Sequence, residues 1–477
     1  MKKIPKQQEI NSLVALFSEG KYAEVAALAQ KMTLRFPMHG FGWMMLGISL
    51  GQMGRSEDGL AILKKAAALS PGDAGVHINL GKALSDSGRL DEAIVSYRRA
   101  LKIKPDIAEA HSNLGSILQV LGRSDEAEAS LQRALQLKPN LFDAHFNLGN
   151  TFREQGRLEE AEASYLKALK IKPDFAKLYN NLGVTLLGMN RLEEAENCCR
   201  KALLLSPNYA NAYGNLGAVL SRLGKTEEAL ENYRQQIRLE PENGNAIHQI
   251  AALSGTTTDR APDQYVKELF NGYADRFDDH LQQILKYETP KKLVELITQH
   301  VTPPEEKWRV LDLGCGTGLV GSAIEPFSSK LVGIDLSSKM LEKASSLNLY
   351  SRLECSDLLT TLRLEKESSY DVITSADVFI YVGKLDEIVS EVKRLLCPGG
   401  YFLFSVEDPD VSSSRDVSQD VQSEYQLMST GRYSHSNGYL SKLAAANGFL
   451  PIVSEATEIR MDRGQPLMGH LLLWKIE

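Results

Sequence analysis

The sequence predicts two dissimilar domains: an all-α repeat array, then an α/β domain with a largely parallel sheet. Three observations predict this. Prolines 37, 71, 105, 139, 173, 207 and 241 stand 34 residues apart. From residue 263 onward that register stops, and short apolar runs alternate with helical patterns. At the first such alternation, glycines 314, 316 and 318 crowd a strand-to-helix turn.

Each 34-residue unit reads as two amphipathic helices. The proline ends the second helix, because it cannot continue the hydrogen-bond ladder. A second register, Gly20, Gly54, Gly88, Gly122, Gly156, Asn190 and Gly224, marks the turn between the paired helices. Gly and Asn tolerate the positive φ needed there. A third register, Gly47, Gly81, Gly115, Gly149, Gly183 and Gly217, joins Ala93, Ala127, Ala161, Ala195 and Ala229 in supplying small residues where helices approach closely. One hairpin cannot bury its apolar face alone, whereas stacked neighbours can.

These registers resemble the tetratricopeptide (TPR) repeat. Seven units fit between residues 6 and 243; residues 244–253 begin a further first helix that closes the array. The first unit is divergent, with Leu13 and Val25 at positions usually small. The resemblance implies a superhelix with a concave groove. Asn79, Asn113, Asn147, Asn181 and Asn215 share one first-helix position that lines it. A side-chain amide both donates and accepts, so such a row suits an extended peptide backbone. The array is similar to that of O-linked N-acetylglucosamine transferases, where an asparagine row holds a protein substrate. Packing is the equally simple reading of these asparagines. His77, His111 and His145 form a neighbouring column, shared with Trp43, Tyr179 and Tyr213. They stand one repeat apart, too far for joint metal ligation, and read as packing residues.

Residues 254–262, small, polar and proline-containing, read as a linker. The second domain then occupies 263–477. Strands are expected at 309–313, 330–335, 352–355, 370–374 and 400–406, with helices at 319–325, 339–346 and 385–396. Residues 450–458 and 468–476 read as a late antiparallel edge hairpin, since no helical pattern separates them.

The central motif is Val310-Leu-Asp-Leu-Gly-Cys-Gly-Thr-Gly-Leu-Val-Gly321, with Asp335 ending the next strand. Glycines let a ligand approach the backbone, and an acid about 20 residues on suits a ribose diol. The same glycines fit dinucleotide enzymes. Asp312 discriminates: a carboxylate there repels a pyrophosphate but suits a cationic amine. With these residues assembled, the domain resembles Rossmann-like class I S-adenosylmethionine-dependent methyltransferases. The resemblance implies that Asp312 and the turn of Gly314, Cys315, Gly316 and Gly318 hold the methionine end of that cofactor. It further implies Asp335 on the ribose, Leu336 beside the adenine, and Asp357 with Leu358 at the adenine amino group. For Asp335 and Asp357, helix capping is the plainer alternative. Residues 269–280 are similar to an aromatic-acidic segment that folds over the cofactor in many such enzymes. Tyr273 and Phe277 share one helical face there, as a cover for the sulfonium or as ordinary packing. The combination is similar to a bacterial family of TPR-containing predicted methyltransferases.

Acceptor-side residues are expected after the fourth and fifth strands. Residues 375–383 lack the Asn/Asp-Pro-Pro-Tyr motif of adenine and glutamine methylation, and no paired-glutamate loop of arginine methylation is present. Asp377, Glu407 and Asp408 supply scattered carboxylates. His435 is the base by residue type, with Tyr433 and Tyr381 as walls; a His buttressing the following helix is the competing reading. The catalytic candidates are thus His435, Tyr433 and Asp377.

Composition narrows the function classes. The chain has 477 residues, 43% hydrophobic and 24% charged, as in soluble globular chains. A net charge of −7 argues against a nucleic-acid partner. No apolar run is long enough to span a bilayer, and no signal-peptide stretch follows the first residues. The five cysteines, including the adjacent pair Cys198 and Cys199, have no framework or metal-ligand spacing. A cytoplasmic protein with no metal site is expected. Its expected function is methylation of a protein or peptide bound in the TPR groove. The alternative is a small-molecule methyltransferase whose repeats serve as a docking scaffold.

Overall fold

The computed structural model describes residues 4–274, 287–408, 424–462 and 465–477. The chain divides into two compact units, Met1–Pro207 and Asn208–Glu477.

The first unit consists of helical hairpins, such as α3 (Gly40–Gln52) with α4 (Ser56–Leu69) and α5 (Ala74–Asp86) with α6 (Leu90–Ile103). The hairpins α7 (Ala108–Val120) with α8 (Ser124–Leu137), α9 (Phe142–Glu154) with α10 (Leu158–Ile171) and α11 (Ala176–Gly188) with α12 (Leu192–Leu205) repeat the pattern. Every second helix stops two residues before its proline. The turn residues take the left-handed backbone that the register implied, with φ from 72° at Gly88 to 80° at Gly54, and 60° at Asn190. The close-approach glycines have an equally direct cause. A Cβ on Gly115 would stand 2.6 Å from the Leu131 side chain, and one on Gly149 would stand 2.5 Å from the Tyr165 ring. The partner alanines Ala93, Ala127, Ala161 and Ala195 are fully buried.

The aromatic column has a structural duty. The ring nitrogens of Trp43, His77, His111 and His145 bond the carbonyls of Pro37, Pro71, Pro105 and Pro139 at 2.9–3.2 Å. A carbonyl just past a helix end lacks a helical partner, and a planar N–H six residues on supplies it.

The second unit begins with the last repeat, α13 (Ala210–Arg222) and α14 (Thr226–Leu239), and the closing helix α15 (Gly244–Leu253). After α16 (Asp263–Tyr273) and α17 (Thr289–His300) comes the sheet. Its parallel strands are β1 (Trp308–Leu313), β2 (Ser328–Asp335), β3 (Arg352–Cys355), β4 (Tyr370–Ser375) and β5 (Leu396–Glu407), in spatial order β3-β2-β1-β4-β5. Helices α18 (Leu319–Ile324), α19 (Ser338–Ser346), α20 (Leu358–Leu364) and α21 (Asp386–Leu395) fill the intervals. β1 and β4 are buried almost throughout, as strands covered on both faces are.

Beyond β5 the sheet departs from the expected arrangement. Two three-residue strands, β6 (Tyr425–Leu427) and β7 (Tyr433–His435), precede α22 (Asn437–Asn447). Three residues carry no periodicity to detect. The late hairpin is β8 (Phe449–Asp462) with β9 (Gln465–Ile476), antiparallel. β9 inserts beside β5, leaving β8 outermost. Leu471–Trp474 of β9 are at most 3% exposed, which accounts for its nearly unbroken apolar run.

The stretch 254–262, read as a linker, is tied down. The Asp259 carbonyl accepts from the Gly383 and Lys384 amides, and the Ala261 amide donates to the Tyr381 carbonyl. Thr258 bonds the Tyr433 hydroxyl, Tyr425 donates to Asp259, and Ala261 is 2% exposed. Polar composition here reflects hydrogen bonding to the sheet domain. Among the described residues no helix is long and apolar enough to cross a membrane.

Candidate functional site: a glycine cradle and a buried charge cluster

Strand order reverses between β1 and β4, and in open α/β sheets the ligand crevice lies at that switch point, outside the carboxyl ends of the strands. Asp312 is on β1, one residue from its end. It is 1% exposed. Its two carboxylate oxygens accept from the Tyr350 hydroxyl at 2.8 Å and the Thr374 hydroxyl at 2.9 Å. Burial pushes its carboxyl up to about 7; the two hydroxyls oppose the rise, and nearby Asp335 adds to it. A carboxylate has about four lone-pair sites, so Asp312 keeps capacity for a cationic donor.

The glycine turn follows. Gly314, Gly316 and Gly318 have φ of 65°, 54° and 94°. They differ in what surrounds them. A Cβ on Gly314 would stand 2.3 Å from Val378, and one on Gly318 would stand 2.8 Å from Leu347. Around Gly316 no described residue lies within 4 Å of that position, so this glycine offers bare backbone to a ligand. Cys315 is 5% exposed, and burial raises its thiol well above the usual range. It is a packing residue.

Asp335, at the end of β2, accepts from the Gly316 amide at 2.9 Å and the Ser337 amide at 2.8 Å. It therefore braces the glycine turn while remaining half-buried, and burial raises its carboxyl. Ser337 caps α19 and donates to Asn271 of α16 at 2.7 Å, which lays α16 across the end of β2. Leu336 packs beside the cluster of Ala252, Ala261 and Val266, and half-buried Leu358 beside the sheet core. Asp357 is the N-cap of α20, accepting from the Leu359 and Thr360 amides, with Arg260 3.5 Å away. Burial raises its carboxyl, but the bonds from Thr360 and Leu359 and the charge of Arg260 outweigh that and lower it. Helix capping thus accounts for Asp357, while Asp335 serves the glycine turn. Phe277 and the Tyr273 side chain lie outside the described residues, as does His280.

On the acceptor side the structure redistributes the sequence candidates. His435 is 1% exposed, and its Nε2 bonds the carbonyls of Val382 and Gly383 at 3.0 and 2.9 Å. Burial depresses the ring to about 4. Its ring stacks on Tyr439 of α22, and Ser436, not His435, caps that helix. This geometry lends a base role no support. Tyr433 is fully buried against α15 and bonded to Thr258, so it is not a wall of the crevice. Half-buried Tyr381 packs edge-on against Phe270 of α16.

Asp377 stands differently. It pairs with Arg460 of β8, which pairs in turn with Glu407 at the end of β5. Arg460 and Glu407 are each 3% exposed. Val378, next in the chain to Asp377, fills the space a Gly314 Cβ would take, which sets the cluster beside the glycine cradle; burial raises the phenol of Tyr287, with the charges of Asp377 and Asp312 adding to the rise and that of Arg460 opposing it. Sequence reading passed over Tyr350, Thr374, Tyr287 and Arg460. Only Arg460 left a signal, a charged residue between Ile459 and Met461 in a strand. Among the described residues, no His, Cys, Asp or Glu group is arranged to hold a metal ion.

The asparagine row is half-buried in every repeat. Asn79 donates to the Gly75 carbonyl at 2.9 Å, within its own helix. Asn181 donates to Asn150, which also accepts from the buried Tyr165 hydroxyl.

The fold and these residues define a TPR protein carrying a Rossmann-like class I methyltransferase domain. Comparison with known proteins agrees at the level of domains. A methyltransferase-domain family model matches residues 311–404, and a TPR-repeat model matches 81–122. The model of the cilia and flagella-associated protein 70 C-terminal domain matches 108–268. The chain is 30% identical over 149 residues to a demethylmenaquinone methyltransferase of Symbiobacterium thermophilum, covering 30% of this chain and 58% of that protein. It is 32% identical over 158 residues to a malonyl-[acyl-carrier protein] O-methyltransferase of Halalkalibacterium halodurans, covering 31% and 56%. With a ubiquinone biosynthesis O-methyltransferase of Paraburkholderia phymatum it shares 32% over 108 residues, covering 22% and 47%. The chain thus spans about half the length of the curated relatives it matches. Among solved structures, a chain of the APC/C Cut9–Hcn1 hetero-tetramer superposes with a TM-score of 0.45 at 18% identity, covering 50% of this chain and 48% of that one.

Proposed function

We propose that this protein is an S-adenosylmethionine-dependent methyltransferase acting on a protein or peptide held by the repeats. The observation that carries the methyl-transfer reading is the cradle. Gly316 offers open backbone, Asp335 braces it from below, and a buried carboxylate at Asp312 stands where a cationic amino-acid head would lie. The residues fit the cofactor: Asp312 would take its ammonium, the glycine turn its carboxylate, and Asp335 its ribose hydroxyls. When bound, the cofactor supplies a sulfonium methyl group, an electrophile with a good leaving group. The chain's contribution is alignment and a dry site, worth at best ~7–11 kcal/mol. The resting place of the acceptor is the rim formed by the ends of β4 and β5.

The peptide reading rests on the repeats, in which the half-buried amides of Asn79, Asn113, Asn147 and Asn181 recur at a regular interval; Asn79 and Asn181 donate within the repeats, and a bound peptide would use the capacity that remains. Covalent attachment raises the local concentration of whatever they hold. The experiment is tritiated methyl transfer from S-adenosylmethionine into host lysate, fractionated into protein, nucleic acid and small molecules. Label in protein is expected. Replacing these four asparagines with alanine should leave cofactor binding intact and cut protein labelling at least tenfold; unchanged labelling would remove the groove from the account.

A second reading takes its motive from the names of the relatives: the acceptor is a small molecule or a carrier-borne one, and the repeats dock the enzyme to an assembly. It predicts label in the small-molecule fraction and indifference to the asparagine changes. Five free thiols accord with a cytoplasmic home.

A further inference from the structure

We propose that Arg460 is a positioning residue that presents Asp377 to the methyl acceptor, and that the site takes an acceptor whose nucleophile carries a proton, an amine or a hydroxyl, rather than a carboxylate. The inference rests on the methyl-transfer reading above and deepens it.

Asp377 sits at the edge of the glycine cradle. The next residue, Val378, occupies the space where a Gly314 Cβ would be, and three residues earlier Thr374 bonds Asp312. Asp377 is held in the left-handed region with φ of 59°, uncommon for a non-glycine residue. Two contacts maintain it there: its amide donates to the Ser405 hydroxyl at 2.8 Å, and its Oδ2 pairs with Arg460. A locally unfavourable backbone maintained by its surroundings is often found where a side chain must be aimed.

Among the described residues, the buried Asp377 Oδ1 has no hydrogen-bond partner. Two residues upstream, the fully buried Ser375 hydroxyl also has none among them. Buried polar atoms are almost always paired, so an acceptor oxygen left over beside the crevice calls for a donor from a bound molecule. An amine or hydroxyl brings one. A carboxylate acceptor brings none, and it would meet Asp377 with Asp312 nearby.

Arg460 does not relieve that repulsion, because both of its paired nitrogens already serve Asp377 and Glu407. Its side chain is 4% exposed. The guanidinium fork is suited to holding two carboxylates in fixed places. Burial alone would disfavour its charge, but Asp377 and Glu407 raise its affinity for the proton. Among the described residues, the titratable groups that interact with this cluster are Tyr287, Tyr381, Glu407 and Arg432. Arg460 therefore acts through Asp377 and need not touch the substrate.

The step balances simply. The acceptor's nitrogen or oxygen lone pair forms the bond to the methyl carbon. The carbon–sulfur bond breaks, its electron pair staying on sulfur as a neutral thioether. The acceptor's proton passes to Asp377 and from there to solvent.

The test uses the full chain with tritiated S-adenosylmethionine and host lysate. In the wild type, labelled product should survive mild alkali; methyl esters would instead release volatile methanol, and that result would overturn the proposal without any variant. Asp377→Asn, which keeps the shape, and Arg460→Met should each bind S-adenosylhomocysteine within about twofold of wild type by calorimetry yet label lysate more than tenfold more slowly. Arg460→Lys should recover part of the loss. Wild-type labelling by Asp377→Asn with cofactor binding intact would also overturn it. Absence of both cofactor binding and labelling in the wild type would instead remove the methyl-transfer reading itself.

Discussion

Asp312 carries the tension in the site. A carboxyl group pushed up to about 7 is half neutral at physiological pH, yet a cationic ligand needs it ionised. Cofactor affinity should therefore fall by roughly tenfold between pH 8 and pH 6, as the ionised fraction falls through its titration. Calorimetry at the two pH values checks this. Linkage sets the sign for the free protein. The folded carboxyl binds its proton more tightly than the unfolded one, whose ordinary value is 3.8. Its contribution to stability is therefore present below about pH 4 and lost as pH rises toward 7, a penalty of at most about 4 kcal/mol. Asp312→Asn should thus melt several degrees higher at pH 8 than wild type while binding S-adenosylmethionine at least tenfold more weakly. A variant that melts lower at pH 8 would show that the charge stabilises the free fold. The importance of Asp312 was legible from its place before the glycines. Its two hydroxyl partners were not, because Tyr350 and Thr374 reach it from positions with no motif of their own.

At the scale of elements, the repeat registers separate two jobs for glycine. Gly149 lies where a Cβ would stand 2.5 Å from the fully buried Tyr165 ring, so Gly149→Ala should cost about 1–3 kcal/mol by overpacking. Gly122, at φ of 72° with no described residue within 4 Å of an added Cβ, should cost only about 1 kcal/mol when changed to Ala, from backbone strain alone. Urea unfolding of the two variants measures the difference; equal losses would contradict the division. These registers made the turns and the ends of the second helices readable, since a 34-residue period repeats every signal several times. The sheet domain was less legible. Its central strands declared themselves as apolar runs, but β6 and β7 are three residues each and are defined only by their partners. The place of β9 beside β5 is a tertiary choice that local pattern does not encode.

For the whole molecule, composition and contact disagree about where the repeats end. The sequence changes character after residue 253, yet the last repeat belongs with the sheet domain in the unit Asn208–Glu477. The His248 ring bonds the Gly431 carbonyl at 2.9 Å, and Ala252, Val266, Leu427 and Tyr433 form one buried cluster. A fragment of residues 208–477 should therefore be folded and competent to bind the cofactor. One of residues 254–477 should lose that apolar cover and aggregate, as size-exclusion chromatography would show. Methyl transfer itself, however, stands or falls with the cradle. Its most direct test is calorimetric titration of the full chain with S-adenosylmethionine and, separately, with a nicotinamide dinucleotide. Saturable one-site binding of the sulfonium compound, lost in Asp312→Asn, and no heat from the dinucleotide is the predicted result. Binding of the dinucleotide in its place, or of neither, would contradict it.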